Sequence, residues 1–271
     1  MPKCRMMYFM RIHHPRLVNR KRGMNTQPIT QELRLALLIS GGGTTAQSIV
    51  EAIREGRLRG VTPALVIAST HTAAGIERLK KHGMDPRDVV VIEPKKYADQ
   101  EAFGEALINT CKERGVNFLG QYGWLVKTPE NVITAFPGMM TNQHPGPLDP
   151  GRPDFGGHGM YGMRVHCARL LFVRRTGRDM MTEATCQRVA ASYDQGAVLK
   201  RRSIAVLPDD TPESLAERLL PVEHEVQIET LADIVACAER ELVRAEPLVR
   251  PEEERILQEA KAEAIKRYPR G

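Results

Sequence analysis

From residue 33 onward the chain alternates short apolar runs with segments whose apolar residues recur every three or four positions. The run LRLALLIS (33–40) predicts a buried strand. AQSIVEAIREGRL (46–58), with Ile49, Ile53 and Leu58 at helical spacing, predicts the helix after it. The pattern repeats: strand TPALVIAS (62–69), helix AAGIERLKKHGM (73–84) ending near Gly83, strand DVVVIEP (88–94), and helix 99–115 with Asp99 as its cap. VNFLGQYG (116–123) follows as a strand, PENVITAFPG (129–138) as a short helix from Pro129, and MMTNQHP (139–145) as a strand broken by Pro145. Strands alternating with helices imply an α/β, Rossmann-like open sheet that is mostly parallel, with right-handed crossovers.

The alternation stops at Pro145. Residues 145–162 hold six Gly and four Pro, so a structured loop is expected. RVHCARLLFVRR (164–175) fits either a helix or a strand. Residues 181–208 predict a β-hairpin turning around Tyr193–Gly196. Residues 209–242 predict a helix capped by Thr211 with Pro212 in its first turn, broken or kinked at Pro221. The last segment, 251–268, predicts a charged amphipathic helix standing as an exposed appendage. The chain thus divides into a basic flexible arm (1–32), a body (33–245) and a charged helical extension (246–271).

Charge changes this picture in one respect. The 271 residues carry a formal charge of +6, which would invite a nucleic-acid reading, but residues 1–24 hold seven bases and no acid. The remainder has 32 bases against 33 acids, so the body offers no general basic surface. The arm reads as a tail, a targeting segment or an upstream extension with the working start at Met24. No apolar run reaches the ~20 residues of a membrane span. The five cysteines are scattered without C-x-x-C spacing, which points to neither a zinc site nor a disulfide framework. A reducing, cytoplasmic setting is the expectation.

In open parallel sheets, ligands collect at the carboxyl ends of the strands. Gly41–Thr45, Tyr122–Trp124 and Asn142–His144 all fall there. The turn Gly41-Gly42-Gly43-Thr44-Thr45 opens a helix, and its N–H groups suit a monophosphate. Asn142 and His144 are two apart, so on an extended strand end they share a face and can both donate to one developing oxyanion. Asp194, at the hairpin tip, can hold His144 protonated or take a proton through water. Singly each has an ordinary reading: a tight turn, a satisfied structural histidine, a turn aspartate.

The ordered set "ISGGGTTAQSIVEAI", "YGWLVKTP", "MMTNQHPGPLDPG", "YDQGAVLKRRSIAVLPDDTPESLAERLL" and "VEHEVQIETL" resembles the phosphoribosylglycinamide formyltransferase family from about Leu33 to Leu242. The resemblance implies a formyltransferase fold and transfer of a formyl group from 10-formyltetrahydrofolate, a cosubstrate, to the amine of glycinamide ribonucleotide in purine biosynthesis, without a metal. It assigns catalysis to Asn142, His144 and Asp194, the substrate phosphate to Gly43, Thr44 and Thr45, and the ribose hydroxyls to Glu223. It sets the folate against Trp124, Leu125, Val126 and Tyr193. The partners it implies are small-molecule substrates, with neither nucleic acid nor membrane, and the protein is expected as a monomer or homodimer. The chain departs from the family in its long Gly/Pro loop after His144, in Gln187 where a His is usual, and in Thr44-Thr45 for Ser-Asn. Another amine acceptor, such as an amino-sugar nucleotide, and a ligand-binding relative without catalysis are the alternatives.

Overall fold

The computed structural model describes residues 32–271; the basic arm and the Met24 start lie outside them. Seven strands form one sheet in the order β3-β2-β1-β4-β5-β6-β7. They are β1 (Leu33–Ile39), β2 (Val61–Ala68), β3 (Val89–Val91), β4 (Phe118–Gln121), β5 (Met140–His144), β6 (Met181–Arg188) and β7 (Val198–Ala205). The first five run parallel, whereas β6 and β7 are antiparallel additions at one edge. The open, mostly parallel α/β sheet expected from the alternation is the fold.

Strand β1 explains why its sequence is apolar almost without interruption. Leu33, Leu35, Leu37 and Ile39 enter the core on one face and Ala36 and Leu38 the core on the other, because helices cover both faces. On the first face lie α1 (Thr44–Arg54) and the far half of α6 (Pro212–Val235), through Ile49, Ile228 and Leu231. On the second lies α3 (Gln100–Glu113), through Phe103 and Leu107, with Asp99 accepting from the Ala102 N–H at 2.8 Å as its cap. The shorter α2 (Gly75–Lys81) and α4 (Glu130–Ala135) complete the crossovers.

Residues 163–176 are a helix, α5 (Met163–Thr176), which settles the ambiguous run 164–175. Pro221 does not end α6, which continues for 24 residues around it. Proline there forfeits one backbone hydrogen bond, but Leu215, Leu219 and Val226 on either side are buried, and packing outweighs that loss. The helix stops at Val235, earlier than the pattern to residue 242 implies, with Cys237 in the left-handed region (φ 50°). The chain then crosses the sheet edge, where the Leu242 N–H donates to the Val198 carbonyl at 2.7 Å.

The expectation of an exposed terminal appendage is corrected by α7 (Glu254–Arg267). Its charged face meets water, but Leu257, Ala260 and Ala264 are fully buried with Val165, Ala168 and Phe172 of α5. Small residues at one helical face let the two helices approach closely, and the outward charges masked this in the sequence. Leu257→Ala is expected to destabilise the protein by roughly 2–5 kcal/mol in denaturant unfolding; a loss near zero would restore the appendage.

Candidate active site

Strand β5 ends at His144, and Pro145 prevents the ladder from continuing. Asn142 pairs in register with Gln187 on β6, and His144 with Thr185. His144 is 3% exposed. Its Nδ1 lies 3.7 Å from Asp194 Oδ1, and its Nε2 has no hydrogen-bond partner among the described residues. At 3.7 Å the pair is too long for a hydrogen bond but well within electrostatic reach.

Asp194 sits in the hairpin between β6 and β7 with φ 56°, a left-handed conformation that Asp tolerates better than most residues. Both its oxygens are already held. Gln187 Nε2 donates to Oδ1 at 2.7 Å, and the Gly157 N–H donates to Oδ2 at 2.8 Å. Gly156 is needed for this approach: a Cβ there would come within 2.6 Å of the Asp194 Cβ and 2.7 Å of Leu148 Cδ2. The long Gly/Pro loop therefore packs its backbone against the carboxylate.

These groups open on a cavity of about 650 Å³, within the usual range for a small-molecule site. On one side its wall is Gly41 and Gly42. The adjoining turn carries Gly43 in the left-handed region (φ 67°), half-buried Thr44 and buried Thr45. No side chain caps α1 and no acid sits in its first turn, so the N–H groups there remain open to an anion. Arg78 reinforces the turn, with Nε donating to the Gly42 carbonyl at 2.7 Å and Nη1 to Gln47 Oε1 at 2.9 Å. Nothing in the periodicity around Arg78 marks it.

Glu223 of α6 also lines the cavity and is fully enclosed, accepting from Gln143 Nε2. Burial pushes its carboxyl up to about 7, against the lowering effect of the Gln143 hydrogen bond. His224 turns away from it, with Nδ1 2.9 Å from the Ser48 hydroxyl. Gln143, between Asn142 and His144, thus reaches Glu223, and its Oε1 is buried without a partner among the described residues.

The cavity is also lined by Trp124, Leu125, Val126 and Tyr193. Ser40 fixes this segment by accepting from the Leu125 N–H at 2.9 Å. Trp124 is buried, whereas Leu125 and Tyr193 are exposed. His166 of α5 also reaches the cavity; burial pulls its pKa down to about 4, with His144 adding to the shift. Among the described residues no group of three His, Cys, Asp or Glu is placed to hold a metal. The cavity thus gathers Asn142, His144, Asp194, Glu223, Trp124, Leu125, Val126 and Tyr193, with Gly43–Thr45 next to its glycine wall.

An Asn–His strand end on a Rossmann-like sheet, faced by an aspartate from an antiparallel hairpin, is an arrangement suited to group transfer. The formyl transferase family profile matches residues 33–231, and the chain belongs to the phosphoribosylglycinamide formyltransferase family of these enzymes. Among its relatives, the chloroplastic phosphoribosylglycinamide formyltransferase of Arabidopsis thaliana is 30% identical over 227 residues, covering 83% of this chain and 72% of that protein. The corresponding Vigna unguiculata protein is 31% identical over 233 residues, covering 85% and 70%. The crystal structure of glycinamide ribonucleotide transformylase 1 from Symbiobacterium toebii superposes with a TM-score of 0.66 at 28% identity, covering 79% of this chain and 91% of that one. Formyltransferase activity in purine biosynthesis is the activity this kinship carries.

The Glu223 carboxyl gives the site a pH signature. Between the ordinary 4.5 and about 7 the folded protein keeps this proton while the unfolded chain releases it, so stability falls as pH rises through that window. Glu223→Gln, which cannot ionise, is expected to have a higher Tm than the parent at pH 8 and a similar one at pH 4.5. Equal Tm differences at both pH values would place the carboxyl in water.

Proposed function

We propose that the protein transfers a formyl group to the primary amine of glycinamide ribonucleotide in the cytoplasm. 10-Formyltetrahydrofolate supplies the formyl group when bound. What supports this is the meeting of Asn142, His144 and Asp194 at one cavity that is also lined by Gly41, Gly42 and Trp124.

In this reading each residue has a distinct part. The α1 N-terminus with Arg78 holds the acceptor's phosphate, and Glu223 with Gln143 takes its ribose hydroxyls, which aims the amine toward the end of β5. Trp124, Leu125, Val126 and Tyr193 enclose the ring system of the donor and exclude water from it. As the amine nitrogen bonds to the formyl carbon, negative charge collects on the formyl oxygen. Asn142, through its amide N–H, and His144, through its unpartnered Nε2, donate to that oxygen; one such donor is worth about 3–4 kcal/mol. Asp194 lies behind His144 as the counter-charge and takes the amine's proton through water. The charge then returns, the bond from the formyl carbon to the donor nitrogen breaks, and that nitrogen recovers a proton from His144 or Asp194.

If His144 and Asp194 act as a unit, their losses do not add. His144→Ala and Asp194→Ala are each expected to lower kcat by at least roughly 10²-fold, with the double variant scarcely worse than the poorer single. Asn142→Ala lowers kcat with little change in either KM. Steady-state kinetics of the four variants decide this. Fully additive losses would assign the two residues independent roles, and near-normal rates in all four would remove formyl transfer from this site.

A further inference from the structure

The segment after residue 231 lies beyond the matched family region, yet it touches the site. From 244 to 269 it grips the Gly/Pro loop along its length. Arg244 Nε donates to the Leu148 carbonyl at 3.0 Å, and the Leu248 N–H donates to Asp149 Oδ2 at 3.0 Å. Arg164, at the start of α5, joins the Gly159 carbonyl (2.9 Å) to those of Tyr268 (2.8 Å) and Pro269 (2.7 Å). In the middle, Lys261 of α7 donates from Nζ to the Gly156 carbonyl at 2.8 Å.

That carbonyl belongs to the same peptide group as the Gly157 N–H, which donates to Asp194 Oδ2 at 2.8 Å. The peptide therefore stands between an ammonium on its oxygen and a carboxylate on its hydrogen. A cation on the carbonyl draws electron density toward oxygen and makes the N–H a stronger donor, while the two bonds fix the orientation of the plane. The missing Cβ at Gly156 lets this plane lie against Asp194.

We propose that Lys261 is a positioning residue for the formyl-transfer site, acting through the 156–157 peptide to orient Asp194 toward His144. Lys261 touches neither reacting group. Its ammonium is half-buried; burial lowers its pKa, while Asp154 and Asp194 favour its charge. The Asp154 carboxylate is engaged by the N–H groups of Asp149 (2.8 Å) and Gly156 (2.9 Å), while Lys261 donates to the Gly156 carbonyl. The matched region ends before α7, so an element outside the family core supplies part of the support of the catalytic carboxylate. Transfer activity in this proposal rests on the proposed function above; the geometry of the peptide does not.

The test uses the full chain and two readouts, so that the two ideas fail separately. In Lys261→Met, hydrogen exchange at the Gly157 amide is expected to quicken by roughly tenfold or more. In the transfer assay with 10-formyltetrahydrofolate and glycinamide ribonucleotide, kcat falls by a similar factor, the size of one charge-assisted hydrogen bond, with both KM values within about twofold. Lys261→Arg recovers most of the rate, and Lys266→Met, on the exposed side of α7, behaves as the parent. Unchanged Gly157 exchange in Lys261→Met overturns the proposal, as does a rate loss that Lys261→Arg does not recover. Should the Met variant fail to fold, Lys261→Ala takes its place, and unchanged Gly157 exchange in that variant overturns the proposal equally. A parent enzyme without turnover would instead strike at the acceptor, and the Gly157 exchange would still decide the role of Lys261.

Discussion

A carboxylate and an imidazole from different parts of the chain must face each other across 3.7 Å, and the architecture around the cavity keeps that spacing. His144 is fixed by its strand, which is anchored in the sheet on both sides. Asp194 has no such anchor, because it stands at the tip of a hairpin in a left-handed conformation. Two donors replace the missing rigidity, one from Gln187 on the neighbouring strand and one from the backbone of the Gly/Pro loop. Removing either leaves a nearly buried carboxylate short of a partner, a costly condition in a low-dielectric site. The loop's glycines thus serve close approach to Asp194, and its burial beneath the C-terminal segment keeps it in place.

The region around Gly41, Gly42 and Glu223 follows a different electrostatic logic. An uncapped helix N-terminus and Arg78 collect positive potential near Gly41 and Gly42, while Glu223 is held in a pocket dry enough to raise its carboxyl to about 7. Gln143 and Asn142 are adjacent on one strand, yet the first bonds Glu223 and the second stands beside His144. One strand end can therefore serve substrate recognition and charge stabilisation through alternate residues.

Local signals carried much of this. The apolar runs, caps and turns place β1 to β5 and their helices, since each is encoded by neighbours within a turn or a strand length. The Asn-x-His-Pro end is legible because extended geometry puts Asn142 and His144 on one face, whereas the hairpin Asp194, in a left-handed conformation, stands out only through the family resemblance. Pro221 misleads because a break read from propensity gives way to burial of the flanking leucines. The terminal helix misleads for the opposite reason, its buried face being made of small residues such as Ala260 and Ala264 among many charges. Arg78 and Lys261 could not be read at all: their partners lie 36 and 105 residues away in sequence, and a long side chain donating to a backbone carbonyl leaves no periodicity.

The central claim is that this cavity joins a formyl donor to one particular amine. The most direct measurement follows tetrahydrofolate and formylated product together, starting from 10-formyltetrahydrofolate and glycinamide ribonucleotide with the purified protein. The account predicts that the two appear one for one, and that omitting the acceptor stops release. Formate released without acceptor, or formylation of an amino-sugar nucleotide while glycinamide ribonucleotide is left untouched, would contradict it.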